Sequence, residues 1–418
     1  MQSPRGTKDI FPLQSKAWRE TEQKMADAAR SFGYGEIRIP IFEHTGVFAR
    51  AIGEETDIVG KEMYTFVDRG GDSMTLRPEF TAGVIRAAAQ HSILGQSPLH
   101  RFWYCGPLFR YERPQKGRFR QFHQFGAECI GADSPESDAE IILLARQCLI
   151  AAGINGFRLQ INTLGNSESR AAYRARLSDF LQSVAERLSD ESRRRMERNP
   201  LRVLDSKDER DREALVNAPS LTDFLDLESK VHFELVLKIL DSQGIPYEIH
   251  SRLVRGLDYY SHTVFEFIGD SLGSQDALGG GGRYNNMFEY FGAKSAPAVG
   301  FSLGMERIML TLEQQSPVLY SPERPDVSLI ALGEESVNTV WKYADVLRAE
   351  GLSVITDVLG RSMKSLMKEA DKFSIPVVLI VGENELAAGT VILRDMRNGG
   401  QRECPSNKIV AAIREIIG

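Results

Sequence analysis

Hydrophobic positions in the first part of the chain recur with periods that change from helix to strand. Between residues 15 and 32, large apolar side chains share one helical face, and glycines follow directly. Isoleucines then alternate with other residues over 36–42, which is a strand signal. Because Pro40 cannot donate a ladder hydrogen bond, we expect this strand to be short or to lie at an edge.

Two longer strands are predicted over 99–112 and 119–130, joined by a short polar loop. A helix follows them. Its expected N-cap is Ser134, its first residue is Pro135, and Gly153 ends it.

The rest of the chain differs in pattern from this first part. Residues 167–240 are helical in pattern and rich in charge, which indicates an insertion and not part of a sheet. Strand-like runs return after residue 240, on either side of a glycine run at 279–282. A stretch with three prolines, 312–326, is typical of a linker and leads into 325–418, where strands and helices alternate as in a separate α/β domain. We therefore expect a core in two parts, 1–166 and 241–320.

Composition and charge narrow the class of protein. The 418 residues are 42% hydrophobic and 26% charged, as expected for two or three soluble domains. No apolar run reaches the roughly 20 residues that span a bilayer, and the first residues lack a signal-peptide core, so we expect a cytoplasmic protein. The four cysteines lack zinc spacing, which predicts interior free thiols and no protein-held metal. The net charge of −6 argues against nonspecific nucleic-acid coating, but a local basic patch could still bind phosphates.

The hairpin formed by the two long strands is dense in charge from Arg110 to Arg120. Besides Glu112 it holds five basic residues, Arg110, Arg113, Lys116, Arg118 and Arg120. Alternation places Arg120, Gln124 and Glu128 on one face of the second strand, around the mid-strand Gly126, which predicts that a ligand approaches the backbone there. Such a face suits phosphates at its arginines and a cationic or hydrogen-bonding substrate at its carboxylate and amide. The alternative is a solvated amphipathic hairpin.

Three later stretches have residue types suited to ligand binding. Asp258, Tyr259 and Tyr260 could wall a small polar ligand, or the tyrosines could belong to the core. The glycine run at 279–282 allows close backbone approach or forms a flexible turn. Arg307 lies in the first turn of a predicted helix, where it favours an anion such as polyphosphate, unless it is simply exposed.

Two further patterns admit both a functional and a structural interpretation. Arg77 and Glu79 share one strand parity, with Thr81 following, so Glu79 either faces a ligand or pairs with Arg77. Near the C-terminus, basic residues at helical spacing form a stripe that contacts a nucleic-acid backbone or is a solvated face. The stripe consists of Arg361, Lys364, Lys368 and Lys372.

Taken together, these stretches resemble the bacterial histidyl-tRNA synthetases, and the resemblance runs from Arg5 to the C-terminus. Motif 2 of the class II synthetases, in its histidine-specific form, is matched by FRYERPQKGRFRQFHQFGAECIG. Motif 3 is matched by AVGFSLGMERI and motif 1 by GEIRIPIFE. Two stretches peculiar to the histidine enzymes are matched by RGLDYY and GGGRY.

The resemblance implies an α+β fold: an antiparallel sheet of six or seven strands flanked by helices, a helical insertion, and a C-terminal α/β anticodon-binding domain. It implies a homodimer that uses ATP, with Mg²⁺ at the ATP phosphates, to join histidine to tRNA(His). The residues implied at ATP are Arg110, Glu112, Arg120 and Arg307. The residues implied at histidine are Glu79, Thr81, Gln124, Glu128, Arg255, Tyr259 and Tyr260. Arg255 and Arg110 would stabilise the reacting α-phosphate, and Gln115 would meet the tRNA acceptor end.

Departures from the family pattern are few. Phe80, Tyr111 and Asn285 stand where a small residue, histidine and aspartate are common. Paralogues that act as regulatory subunits of ATP phosphoribosyltransferase resemble the same core, but they lack the C-terminal domain and usually degrade the arginines. This sequence keeps Arg110, Arg255 and Arg307 as well as that domain, which favours the ligase over the regulatory subunit.

Overall fold

The protein forms two compact units, Met1–Tyr320 and Ser321–Gly418. Each unit has its own sheet and its own hydrophobic core. Among the described helices, none combines the length and the apolarity that crossing a bilayer requires. The computed structural model describes residues 1–53, 56, 58–204, 206, 208–254, 259–270, 277–316, 319–320 and 324–418.

The first unit contains both short and long strands, with its helices placed between them. Its strands are β1 (Gly35–Glu36), β2 (Phe42–His44), β3 (Tyr64–Val67), β4 (Ser73–Leu76), β5 (His100–Phe109), β6 (Gln121–Ile130), β7 (Phe157–Thr163), β8 (Glu248–Ile249), β9 (Ser261–Gly269), β10 (Ala277–Arg283) and β11 (Ala298–Gly304). Its helices are α1 (Pro12–Ser31), α2 (Thr45–Ile52), α3 (Thr81–Gln90), α4 (Pro135–Ala152), α5 (Ser167–Ser183), α6 (Asp190–Arg198), α7 (Glu209–Ala214), α8 (Leu227–Ser242) and α9 (Met305–Gln315).

A large sheet forms the centre of the first unit. Strands β5, β6, β11, β10, β9 and β7 are antiparallel neighbours in that order, and the short β1 and β8 join the two edges in parallel. The expected antiparallel sheet flanked by helices is thus confirmed, with two parallel edge strands added. A small separate sheet has the order β2-β4-β3.

The two faces of β6 have different environments, as its sequence alternation predicts. Phe125, Ala127 and Cys129 point into a core that α1 and α4 cover. Gln124 and Glu128 point to the opposite face. All four cysteines are free thiols, and three of them are buried while Cys105 is half-buried.

The glycine run is a strand in the middle of the sheet, which corrects the interpretation as a turn. It forms β10, paired with β9 on one side and β11 on the other. A Cβ atom on Gly281 would lie 1.9 Å from the carbonyl oxygen of Gly300, and one on Gly279 would lie 2.2 Å from that of Ser302. Close approach of the neighbouring backbone therefore requires glycine here.

The strand predicted over 36–42 is mostly irregular. Only its first residue belongs to β1, and β2 begins where it ends. The carbonyl groups between β1 and β2 accept hydrogen bonds from the guanidinium of Arg77. Its Nη1 donates to Ile39 O at 2.8 Å and to Pro40 O at 3.3 Å. The backbone N–H of Arg77 donates to Ile41 O at 2.8 Å. Arg77 therefore does not pair with Glu79, and Glu79 lies beyond the end of β4.

The segment predicted as an insertion, 167–240, is helical, and its first and last helices, α5 and α8, are tied together at their N-termini. Asn166 caps α5 by accepting from Ser169 N at 2.9 Å, and Asp226 caps α8 by accepting from Ser229 N at 2.6 Å. Each cap residue also hydrogen-bonds to the other helix. Asn166 N donates to Ser229 Oγ and Asp226 N donates to Ser169 Oγ, both at 3.1 Å. Each cap also satisfies helix N–H groups that would otherwise lack partners.

The second unit alternates strands and helices around a five-stranded sheet with the order β13-β12-β14-β15-β16. Its first three strands in that order are parallel and the last two antiparallel. Its elements are β12 (Val327–Ala331), α10 (Glu334–Ala349), β13 (Val354–Thr356), α11 (Met363–Lys372), β14 (Val377–Val381), α12 (Glu383–Ala388), β15 (Thr390–Asp395), β16 (Gln401–Pro405) and α13 (Ile409–Ile417).

Candidate active site

A cleft opens on the face of the large sheet that α1 and α4 leave uncovered. Its floor is formed by β6, β10 and β11, and the glycines of β10 and β11 give it a backbone surface. Eight of the residues that the sequence resemblance implies at ATP or histidine line it together: Glu79, Thr81, Arg110, Glu112, Gln124, Tyr259, Tyr260 and Arg307.

Glu128 lies completely buried beneath one end of the cleft. Its Oε1 accepts hydrogen bonds from Thr81 Oγ1 at 2.7 Å and from Tyr104 Oη at 2.9 Å, and its Oε2 accepts one from Tyr284 Oη. Burial raises the pKa of Glu128 to about 7, although the three hydroxyl donors oppose the shift. A Cβ atom on Gly300 would lie 1.6 Å from Glu128 Oε2, so glycine on β11 makes room for the carboxyl group.

A second buried carboxyl group lies beside the first. Glu79 accepts from the backbone N–H of Ala82 at 2.8 Å, in the first turn of α3. Burial raises its pKa, while Arg110 acts in the opposite direction. Tyr259 stacks obliquely on Tyr260, with ring centroids 4.6 Å apart, and burial raises its pKa well above the ordinary value. Two carboxyl groups among neutral phenols make this end suited to a small cationic ligand with hydrogen-bonding groups.

The other end of the cleft is rich in guanidinium groups. Arg110 is anchored by a bond from its Nε to Pro78 O at 2.8 Å, and it lies over the ring of Phe122. Glu112 lies between two arginines, 3.7 Å from Arg110 Nη1 and 3.5 Å from Arg118 Nε. Arg307 donates to Gly117 O at 3.4 Å and to Ala277 O, and burial lowers its pKa, as does the nearby Arg118. Cations clustered in this way favour a multiply charged anion.

Two of the described residues proposed from the sequence, Arg120 and Gln115, do not line the cleft. Arg120 lies at the base of the hairpin, with its guanidinium 3.8 Å above the Tyr111 ring and its backbone N–H donating to Gly6 O at 2.7 Å. Gln115 lies near the hairpin tip, where its backbone pairs with Arg118. Arg255 lies outside the described residues.

Sequence reasoning missed the tyrosines that hold Glu128. Close approach of a ligand is predicted at Gly126, but a Cβ atom there would lie 2.4 Å from the carbonyl oxygen of Phe301 and 2.6 Å from the ring of Tyr104. The glycine therefore accommodates this ring, which also stacks on Phe80 with centroids 4.2 Å apart. Tyr104 could not be found by pattern, because it faces Glu128 only through the pairing of β5 with β6.

Arg283, in the family-type GGGRY stretch, is a structural residue. It is fully buried, and its Nε donates to the equally buried Asp138 at 3.0 Å. Other donors of its guanidinium reach carbonyl oxygens of Ala132 and Ser134. Asn285, which departs from the family pattern, accepts from Arg283 Nη1 at 3.3 Å. These hydrogen bonds of Arg283 fix α4 against β10, and Tyr284, the next residue, is thereby held facing Glu128.

In the second unit, the first residue of the predicted basic stripe lies outside the helix that holds the others. Arg361 precedes α11, and its guanidinium pairs with Asp357 at 2.9 Å and Glu369 at 2.8 Å. Its charge is therefore already compensated, which favours the structural interpretation for this residue.

Comparison with known proteins decides the family. Residues 6–308 match the model of the histidyl-tRNA synthetase family, and residues 326–416 match that of the anticodon binding domain. The chain belongs to the histidyl-tRNA synthetase family. The crystal structure of apo histidyl-tRNA synthetase from S. aureus is 34% identical and has a TM-score of 0.83, and the match covers 99% of this chain and 100% of that one.

Two more distant structures share the fold. Histidyl-tRNA synthetase from Nostoc sp. PCC 7120 has a TM-score of 0.67 at 20% identity, with both chains fully covered. An ATP phosphoribosyltransferase regulatory subunit/histidyl-tRNA synthetase from Bacillus halodurans C has a TM-score of 0.64 at 22% identity, covering 91% of this chain and 98% of that one. The architecture of synthetase sheet, helices and C-terminal sheet domain is therefore that of the family.

Proposed function

We propose that this chain is a histidine–tRNA ligase, which activates histidine with ATP and transfers it to the 3′ end of tRNA(His). One observation carries the proposal: a single cleft joins a buried carboxyl–tyrosine group to a cluster of guanidinium groups. The first suits the α-ammonium and imidazole of histidine, and the second suits a triphosphate. Family membership supports the same reaction class.

In the first step a carboxylate oxygen of histidine attacks the α-phosphate of ATP, and pyrophosphate leaves. Negative charge builds on that phosphate, so the protein's contribution is orientation and charge stabilisation. We assign Arg110 to the α-phosphate and Arg307 to the γ-phosphate, with Glu112 beside the nucleotide. Arg255 is proposed as a second cation at the α-phosphate, as the sequence resemblance implies.

At the other end of the cleft, we assign the histidine pocket to the carboxyl group of Glu128 and to the side chains around it. They are Glu79, Thr81, Gln124, Tyr259 and Tyr260. A buried carboxyl group with fixed hydroxyl donors orients a small cationic ligand at low entropic cost. Arg120 acts in this proposal through the shape of the hairpin base, because its side chain packs on Tyr111.

Magnesium belongs to the proposal as a companion of the ATP phosphates. Mg²⁺ commonly takes one or two protein carboxylates together with phosphate oxygens. Glu112 and Glu266 line the guanidinium-rich end and supply such oxygens, so the residues present fit the ion. Bound there, it would neutralise charge on the phosphates.

In the second step the terminal ribose hydroxyl of the tRNA attacks the adenylate carbonyl, and AMP leaves. Gln115, near the hairpin tip, is proposed to meet the acceptor end, and the second unit is proposed to bind the anticodon. A homodimer is proposed through the motif 1 region. In support, Phe42 and Phe66 of the small sheet are each about half exposed.

The direct test of activation is ATP–pyrophosphate exchange with each of the twenty amino acids. We expect exchange that depends on histidine. Absence of exchange with every amino acid would contradict the proposal and favour the regulatory-subunit alternative. Exchange with another amino acid would retain the ligase class but overturn the assignment of the pocket.

A further inference from the structure

A strand N–H group lacks a backbone partner where the sheet meets α9. The ladder between β6 and β11 ends with the pair Gln124 and Gly304, because the chain turns into α9 at Met305. His123 is the next residue of β6, and its backbone N–H therefore meets no carbonyl of β11. A buried N–H group without an acceptor is destabilising.

The carboxylate of Glu306 fills this position. Its two oxygens each lie 2.9 Å from His123 N, and its Oε1 lies 3.0 Å from His123 Nδ1. One residue thus offers two nitrogen donors to one carboxylate. The imidazole is itself held by an edge-on contact with the ring of Trp18 in α1, with centroids 5.2 Å apart.

This contact lies next to the guanidinium-rich end of the cleft. Glu306 and Arg307 are neighbours in the first turn of α9, and both line the cleft, whereas His123 does not. Arg307 reaches across to the carbonyl groups of Gly117 and Ala277, so its position depends on where the first turn of α9 lies. Where a cation stabilises developing charge, a misplacement on the order of 1 Å can lower the rate about 100-fold.

We infer that His123 is a positioning residue for ATP: through its ring hydrogen bond to Glu306 it fixes the first turn of α9 and thereby Arg307. The inference rests on the proposed function, in which Arg307 contacts the triphosphate. His123 works from the opposite face of β6, so it touches neither substrate. Its loss should therefore weaken the use of ATP and leave histidine binding unchanged.

Two substitutions at one position separate the hydrogen bond from packing. His123→Phe keeps a ring against Trp18 but has no donor, and His123→Asn restores a donor near the Nδ1 position but loses the ring. In histidine-dependent exchange, His123→Phe should lower kcat/KM for ATP about tenfold and change KM for histidine by less than about twofold, as loss of one charge-assisted hydrogen bond predicts. His123→Asn should recover most of the loss.

Glu313→Gln is the matched control. Glu313 lies on the same helix and lines the same small cavity as His123, but it accepts from Tyr320. Glu313→Gln should leave kcat/KM for ATP and KM for histidine as they are in the unmodified protein. The inference is wrong if His123→Phe leaves kcat/KM for ATP unchanged. It is also wrong if both His123 variants lower kcat/KM for ATP equally, or if His123→Asn lowers it more than His123→Phe.

Two further measurements keep the test decisive. Circular dichroism establishes that the variants are folded. If His123→Phe does not fold, Glu306→Gln takes its place, and a loss confined to ATP is again the expected result. If the unmodified protein shows no exchange, the proposed function fails, and calorimetric binding of Mg²⁺–ATP to the same variants decides the inference separately: weaker binding by His123→Phe alone supports it.

Discussion

At the level of single residues, burial determines how the carboxyl groups of the cleft behave. Glu128 is surrounded by Thr81, Tyr104 and Tyr284, and Glu79 lies nearby. Its pKa of about 7 follows from desolvation, which the hydroxyl donors only partly offset. The sequence identified Glu128 itself, because charge on a strand is conspicuous. It could not identify two of the three hydroxyl donors, which lie on β5 and directly after β10.

This environment predicts a pH dependence for histidine binding. In the free protein Glu128 is protonated below about pH 7, and a bound ammonium group favours its carboxylate form. Binding should therefore release a proton from Glu128 below that pH, and the affinity should rise as the pH increases toward 7. Calorimetry in buffers of different ionisation enthalpy measures the protons released.

Glu128→Gln provides the comparison, because it removes this titration and leaves the imidazole of the ligand to titrate as before. It should also weaken histidine binding by about 3 kcal/mol, the scale found when one partner of a buried charged pair is removed. Equal proton release by both proteins would show that Glu128 does not titrate on binding.

At the level of strands and helices, the sequence predicted those strands whose side chains alternate between buried and exposed positions. The strands predicted over 99–112 and 119–130 are close to β5 and β6, because alternation reports which residues are buried. The glycine run has no side chains to alternate, so β10 was not predicted. The strand predicted over 36–42 does not form, because two of its carbonyl groups accept hydrogen bonds from Arg77, which is distant in sequence.

The close packing of β10 predicts a large penalty for any side chain there. Gly281→Ala should lower the free energy of unfolding by about 3 kcal/mol or more, because its Cβ atom would meet the backbone of β11, which cannot move aside as a flexible side chain can. Gly304→Ala is the control, since its nearest neighbour would be 3.7 Å away. Urea denaturation measures both, and equal stability of the two variants would contradict this account of β10.

At the level of the whole molecule, the two compact units correspond to the two family models that the chain matches. Alternating strands and helices after residue 325 predicted a separate α/β fold, and the five-stranded sheet with its own core confirms it. The sequence resemblance supplied the family, whereas the physical patterns alone supplied only a phosphate-binding sheet surface.

Separate cores predict separable activities. Removal of residues 321–418 should leave histidine-dependent exchange largely intact, because every described residue of the cleft belongs to the first unit. Charging of tRNA(His) should fall by about 100-fold, as expected when a second binding module no longer contributes. Equal losses in exchange and charging would mean that the second unit supports the fold of the first.

The central claim is that one cleft activates histidine for transfer to tRNA, and aminoacylation tests it most directly. The full chain is incubated with ATP, Mg²⁺, labelled histidine and tRNA(His), and the label attached to tRNA is counted. We expect attachment that requires ATP and is absent with a tRNA for another amino acid. Exchange without any attachment, or neither reaction, would contradict the claim.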